Sequence, residues 1–85
     1  MDYNENIKEF VVENFLFGDG DKVGNETDFF EESIIDSTGI LELVCFVEET
    51  YNLTISDDEI VQQNFSSVNN VASFIEKKQI EISAQ

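Results

Sequence analysis

Few residues of this chain could do chemistry. A serine follows an aspartate, Asp36-Ser37, directly before the most apolar helical pattern in the sequence. A hydroxyl at a helix start is exposed, held in place, and next to free backbone N–H groups that favour a phosphate. Ser37 is therefore well placed to receive a phosphate ester. Asp36 is suited to hold a metal ion during that transfer, since Mg²⁺ prefers carboxylate and phosphate oxygens. The plainer reading of Ser37 is a helix cap. His is absent and Cys45 is the single cysteine. A Ser-His or Cys-His nucleophile pair cannot be built from these residues, and His-containing or four-Cys zinc sites are excluded. The expectation is a protein with no catalytic residue and no metal centre.

The elements that must hold Asp36-Ser37 belong to a short chain. Its 85 residues allow one domain, 1–85, and no second core. Lys and Arg together number 4 against 19 Asp and Glu, a net charge of −15. There is no Arg, and only Lys8, Lys22, Lys77 and Lys78 are basic. Binding to nucleic acid or to an anionic membrane is not expected, because phosphate neutralisation needs clustered cations. A basic protein partner is what this field attracts. Hydrophobic residues make up 41% of the chain and 8 are Phe, enough for a packed core despite the charge. A lone cysteine fits a reducing, cytoplasmic setting. The N-terminus lacks the basic start and apolar stretch of a signal peptide, and no apolar run reaches membrane-spanning length. The triplets beginning at Asn25, Asn52 and Asn64 match the glycosylation sequon but carry no meaning without secretion.

The hydrophobic pattern predicts an all-α fold, a four-helix bundle with a long first loop and a short third helix. A first helix spans 4–17, with Ile7, Phe10, Val11 and Phe15 on one face, Asp2 or Asn4 as cap and Gly18 at its end. A connection over 18–36 is pinned by Phe29, Phe30, Ile34 and Ile35. A second helix over 37–52 carries Ile40, Leu43, Val44, Val47 and Tyr51 as its core stripe, with Ser37 at the cap position. A third begins near Ser56, where Ser56 and Glu59 have capping-box spacing. A fourth covers about 67–79, with Ser67 as cap, Val68, Val71, Ala72 and Ile75 inward, and Lys77 and Lys78 in the last turn.

The second helix has more apolar residues than one buried face can use. Leu41, Cys45 and Phe46 fall off its core stripe, interleaved with Glu42, Glu48 and Glu49. An apolar ridge bordered by carboxylates reads as a docking surface for a basic partner with an apolar centre. The plainer reading is looser packing, with Phe46 tucked against the loop.

Asp36-Ser37-Thr38-Gly39-Ile40-Leu41-Glu42-Leu43-Val44, followed by Val47-Glu48-Glu49-Thr50-Tyr51 and Ile55, resembles the signature of acyl carrier proteins and of the related carrier domains of peptide and polyketide synthases. The match continues through Ser56-Asp57-Asp58-Glu59-Ile60 and Ser67-Val68 to Phe74-Ile75. The resemblance implies a carrier rather than an enzyme. A phosphopantetheinyl transferase would attach the phosphopantetheine of coenzyme A to Ser37, with Asp36 serving transferase and Mg²⁺ recognition. The arm would then present acyl or aminoacyl groups as thioesters to partner enzymes of fatty-acid, polyketide or related biosynthesis. Leu41, Glu42, Cys45, Glu48 and Glu49 match the family's partner-binding positions, facing a loading ligase or transferase with a basic patch. Leu43, Val47, Tyr51, Ile55 and Ile60 match core or cleft positions. A monomer is implied. Four positions depart from the signature. Thr38 replaces the usual Leu, Gly39 an acidic residue, and Ser33-Ile34 a Leu-Gly pair, which points to a specialised discrete carrier. Gly39 weakens the first helical turn and eases close approach of a partner. An aminoacyl or peptidyl carrier of a non-ribosomal pathway is the alternative within the family.

Three readings from other classes are weaker. Asp19-Gly20-Asp21-Lys22-Val23-Gly24 resembles the start of a calcium loop, but Val23 and Phe30 stand where oxygen ligands belong. An acidic interaction module without a cargo would fit the charge, yet gives no reason for Asp36-Ser37. Cys45 as a reactive thiol is disfavoured by its place inside an acidic helix, away from any cation that would favour a thiolate.

Overall fold

The computed structural model describes residues 3–16 and 23–83. Among these residues there are helices and turns and no strand. The helices are α1 (Tyr3–Phe15), α2 (Gly39–Tyr51), α3 (Gln62–Phe65) and α4 (Val68–Ser83), with a 3-10 turn at Asp57–Glu59 before α3. This is the expected four-helix bundle with a long first loop and a short third helix.

One core serves all the elements. Ile7 and Val11 of α1, Leu43 and Val47 of α2, Phe65 of α3, and Val68, Val71 and Ile75 of α4 are fully buried. The loop after α1 is pinned as its apolar residues require. Val23, Phe29 and Ile35 are buried, while Phe30 and Ile34 are half-buried. The Phe29 N–H donates to Ser66 C=O (2.7 Å), and the Phe29 C=O accepts from the N–H groups of Ile34 (2.8 Å) and Ile35 (3.2 Å). Ser33 takes a positive φ of 57° to close this turn. The loop is thereby locked to the α3–α4 junction just before Asp36-Ser37.

Helix boundaries differ from expectation for local reasons. At α1, Asn4 lies inside the helix and its side-chain amide donates to Asn69 Oδ1 (2.7 Å), so it ties α1 to α4 rather than capping. Asp2, Gly18 and most of the calcium-like loop, from Asp19 to Lys22, lie outside the described residues. The third helix does not begin at Ser56. The capping box forms, with Glu59 accepting from the Ser56 N–H (3.0 Å), but it launches only the 3-10 turn. Val61 then returns to extended backbone (φ −120°, ψ 155°) before α3. Ser67 caps α4 as expected, its Oγ accepting from the Asn70 N–H (3.2 Å). That helix runs on to Ser83, because no Gly or Pro follows Lys78. Lys77 and Lys78 are therefore not in its last turn. Lys78 instead reaches Glu59 (3.0 Å) and ties α4 to the 3-10 turn.

Candidate functional site

The apolar stripe of α2 builds the site by facing inward and leaving the other face out. Leu43, Val44, Val47 and Tyr51 enter the core, while Leu41, Glu42, Cys45 and Glu49 remain exposed. Ser37 sits in the turn just before this helix, with its residue surface exposed. Asp36 performs the capping that Ser37 was expected to perform. Its Oδ1 accepts from the N–H groups of Thr38 (3.1 Å) and Gly39 (2.7 Å). The next two N–H groups are also satisfied within the chain, Ile40 to Asp36 C=O (3.0 Å) and Leu41 to Thr38 C=O (3.2 Å). The idea of free N–H groups waiting for a phosphate is thus corrected. What the helix start offers is its dipole and an exposed hydroxyl that takes no part in the cap.

Gly39 is the second correction. It is buried, and a methyl group added there would lie 2.8 Å from Phe15 Cε1, 3.2 Å from Ile35 Cγ2 and 3.3 Å from Asp36 Oδ1. The close approach it permits is that of the chain's own α1, not of a partner. The Phe15 ring and the Asp36 cap meet over this glycine, which fixes the turn carrying Ser37.

The outer face of α2 borders a groove of about 590 Å³ against α1. Its lining comes from Thr38, Leu41, Cys45 and Phe46 of the α2 segment and from Phe10 and Asn14 of α1, with Glu42 and Glu49 also at the groove. Phe46 stacks on Phe10, ring centroids 4.2 Å apart and planes 20° apart, so it packs on α1 rather than on the loop. Phe10 also meets Phe15 edge-on at 6.0 Å. Four of the five residues expected at a partner surface, Leu41, Glu42, Cys45 and Glu49, come together here. Glu48 does not line the groove. It is half-buried, and its Oε2 accepts from the Ile55 N–H (2.9 Å), joining the end of α2 to the following segment. Phe10 was read as part of the inward face of α1 and Asn14 was not singled out; their spacing of four on α1 is the signal that could have found them as groove lining.

Among the described residues, the carboxylate whose acidity is shifted lies away from this face. Glu59 is held below the ordinary carboxylate value of 4.5, chiefly by the hydrogen bond from the Ser56 N–H and further by Lys78. Among the described residues no group of three or more potential metal ligands occurs, and no helix is long and apolar enough to cross a membrane.

No protein-family model matches the chain. Individual proteins do. The chain is 37% identical over 78 residues to an acyl carrier protein of Bdellovibrio bacteriovorus, covering 92% of this chain and 96% of that protein. It is 30% identical over 67 residues to the probable acyl carrier protein PigG of a Serratia species, covering 79% and 77%. A D-alanyl carrier protein of Streptococcus suis is 26% identical over 73 residues, covering 86% and 90%. With an exposed serine behind a capping aspartate and this likeness over nearly its whole length, the chain belongs to the acyl carrier protein family.

Proposed function

We propose that this protein carries acyl or aminoacyl groups on a phosphopantetheine arm attached to Ser37. The observation that supports the reading is the division of labour at the start of α2. Asp36 caps the helix and leaves the Ser37 hydroxyl exposed and uncommitted. In the attachment step, Ser37 Oγ would attack the phosphorus that bears the pantetheine group of coenzyme A and displace adenosine 3′,5′-bisphosphate. A phosphodiester forms, the phosphoanhydride breaks, and the hydroxyl proton passes to a base of the transferase. The donor set suits this group: an exposed hydroxyl at the positive end of a helix receives a phosphate diester without desolvation, and the second carboxylate oxygen of Asp36 lies outside the cap and is available to a divalent ion held by the transferase. When bound, the arm supplies a thiol that holds the cargo as a thioester.

The rest of the chain's work is recognition. Leu41 and Cys45 present an apolar centre flanked by Glu42 and Glu49, which matches a loading ligase or transferase with a basic patch. An acidic partner surface speeds encounter with such an enzyme and makes it salt-sensitive.

The test is intact-mass analysis after incubation with coenzyme A and a promiscuous phosphopantetheinyl transferase. One added arm is expected, and none in Ser37→Ala. An unmodified wild type, under conditions that modify a control carrier, overturns the reading.

A further inference from the structure

We infer that Phe15, the last residue of α1, is a positioning residue for arm attachment: its ring determines which of two neighbours caps α2, and so keeps the Ser37 hydroxyl free to react. The inference rests on the reading of Ser37 as the attachment point. Asp and Ser are both good caps, and a cap accepts from an N–H two or three residues on. Asp36 Oδ1 does so from Thr38 (3.1 Å) and Gly39 (2.7 Å). The Ile40 N–H goes to Asp36 C=O (3.0 Å). Were α2 to start one residue later, Ser37 Oγ would take the N–H of Gly39 or Ile40 instead. That commits an oxygen lone pair to the chain and leaves a poorer nucleophile for the phosphorus of coenzyme A.

Residue type does not separate these two starts, so packing must. It acts at Gly39, which is buried. A methyl group there would lie 2.8 Å from Phe15 Cε1, 3.2 Å from Ile35 Cγ2 and 3.3 Å from Asp36 Oδ1. The ring edge, Ile35 and the capping oxygen thus converge on one point of the backbone. Burial shields the bond between Asp36 and Gly39 from water, which strengthens it. The later start would turn Asp36 away and give that bond up. Gly is a poor helix former, and its place in the first turn is explained by the ring it admits.

The groups around Gly39 are themselves braced. Phe15 meets Phe10 edge-on at 6.0 Å, and Phe10 stacks on Phe46 of α2 at 4.2 Å. Ile35 is 2% exposed, and its N–H donates to Phe29 C=O (3.2 Å). The end of α1 therefore holds the start of α2 in one register, with Asp36 as the cap.

The experiment measures arm attachment by a promiscuous phosphopantetheinyl transferase at saturating coenzyme A, well below the melting temperature of each variant. Phe15→Leu keeps apolar bulk and removes the ring edge. It is expected to lower kcat about fivefold with KM unchanged, because only the Asp36-capped fraction reacts while the exposed face of α2 is intact. Gly39→Ala is expected to lower kcat likewise, by pushing the ring away. Phe15→Tyr keeps the ring and is expected to hold the wild-type kcat. Val12→Ala alters a half-buried residue of α1 that is not among the groups nearest Gly39, and is expected to lower the melting temperature without changing kcat. A second readout needs no transferase. The amide of Gly39, one of 4 glycines in the chain, is expected to be protected from hydrogen exchange in the wild type and in Phe15→Tyr, and to exchange faster in Phe15→Leu.

An unchanged kcat in Phe15→Leu overturns the proposal. So does an equal loss in Val12→Ala, which would mark general destabilisation, or a rise in KM alone, which would mark a docking role for the ring. A lower kcat with Gly39 exchange unchanged also overturns it, since the cap would then be intact. A wild type that gains no arm is a different failure: the Ser37 reading itself falls, and the proposal with it.

Discussion

The two faces of α2 are built from similar residues and do opposite things. On the inner face Leu43 and Val47 are fully buried and join the core shared by all four helices. On the outer face Leu41 is 54% exposed, and Cys45 beside it is exposed as well. Both faces are apolar at their centres. The difference lies in what covers them: Leu43 and Val47 share one buried core with Ile7 and Val11 of α1, whereas on the outer side Phe10 stacks on Phe46 and Leu41 and Cys45 stay open. Apolar residues on a helix thus become core or surface according to where the neighbouring helix ends its cover, not according to their type.

The contrast is sharpest in stability. Leu43→Ala removes a fully buried side chain and is expected to destabilise the fold by about 3 kcal/mol, read from a denaturant melt. In a domain this small that is a large share of the total. A loss below about 1 kcal/mol would mean that the inner face is not core.

The cap at the head of α2 comes next. Asp36→Ala is expected to cost about 1 kcal/mol, and Asp36→Asn to recover most of it, because Asn caps nearly as well as Asp. If stability is recovered while arm attachment by a transferase stays impaired, the carboxylate has a role beyond the cap. Recovery of attachment together with stability in Asp36→Asn would deny it one.

Glu59 tests the far end of the molecule. Its folded-state pKa is lowered, first by the Ser56 N–H and then by Lys78. The stabilisation is therefore present above the ordinary carboxylate value of 4.5 and is lost as pH falls through the lowered value. Glu59→Gln keeps an oxygen for the Ser56 N–H and removes the ion pair. It is expected to lower neutral-pH stability by less than about 1 kcal/mol and to make the acid limb of a melt-versus-pH curve shallower. An unchanged acid limb would show that the Lys78 contact contributes nothing.

Smallest of all are changes on the outer face. Leu41→Asn and Glu49→Gln are each expected to shift stability by less than about 0.5 kcal/mol. Their effect should appear in the rate of loading by a partner enzyme. A melt shifted as far as that of Leu43→Ala would erase the distinction between the faces.

How much of this could be read from the residues depends on whether one helix or two define a feature. The inner stripe of α2, the buried anchors Phe29 and Ile35, and the Ser67 cap follow from spacing and turn chemistry within single segments, and the structure agrees. The choice of Asp36 over Ser37 as cap did not follow, because both residue types cap well and only geometry decides. Gly39 looked like a weak point in a helix; its purpose shows only when Phe15, far back in the sequence, packs over it. The groove was half visible, as the ridge of Leu41 and Cys45, but its other wall belongs to α1. Glu48 looked like its acidic neighbours, yet its carboxylate answers a backbone N–H seven residues on.

The central claim is that Ser37 bears the arm. The most direct measurement is intact-mass and peptide-level analysis of the protein isolated from its own cell. The account predicts one phosphopantetheine, with or without an acyl or aminoacyl group, on the peptide containing Ser37. A protein that is wholly unmodified under every growth condition, or one modified at a different residue, would contradict it.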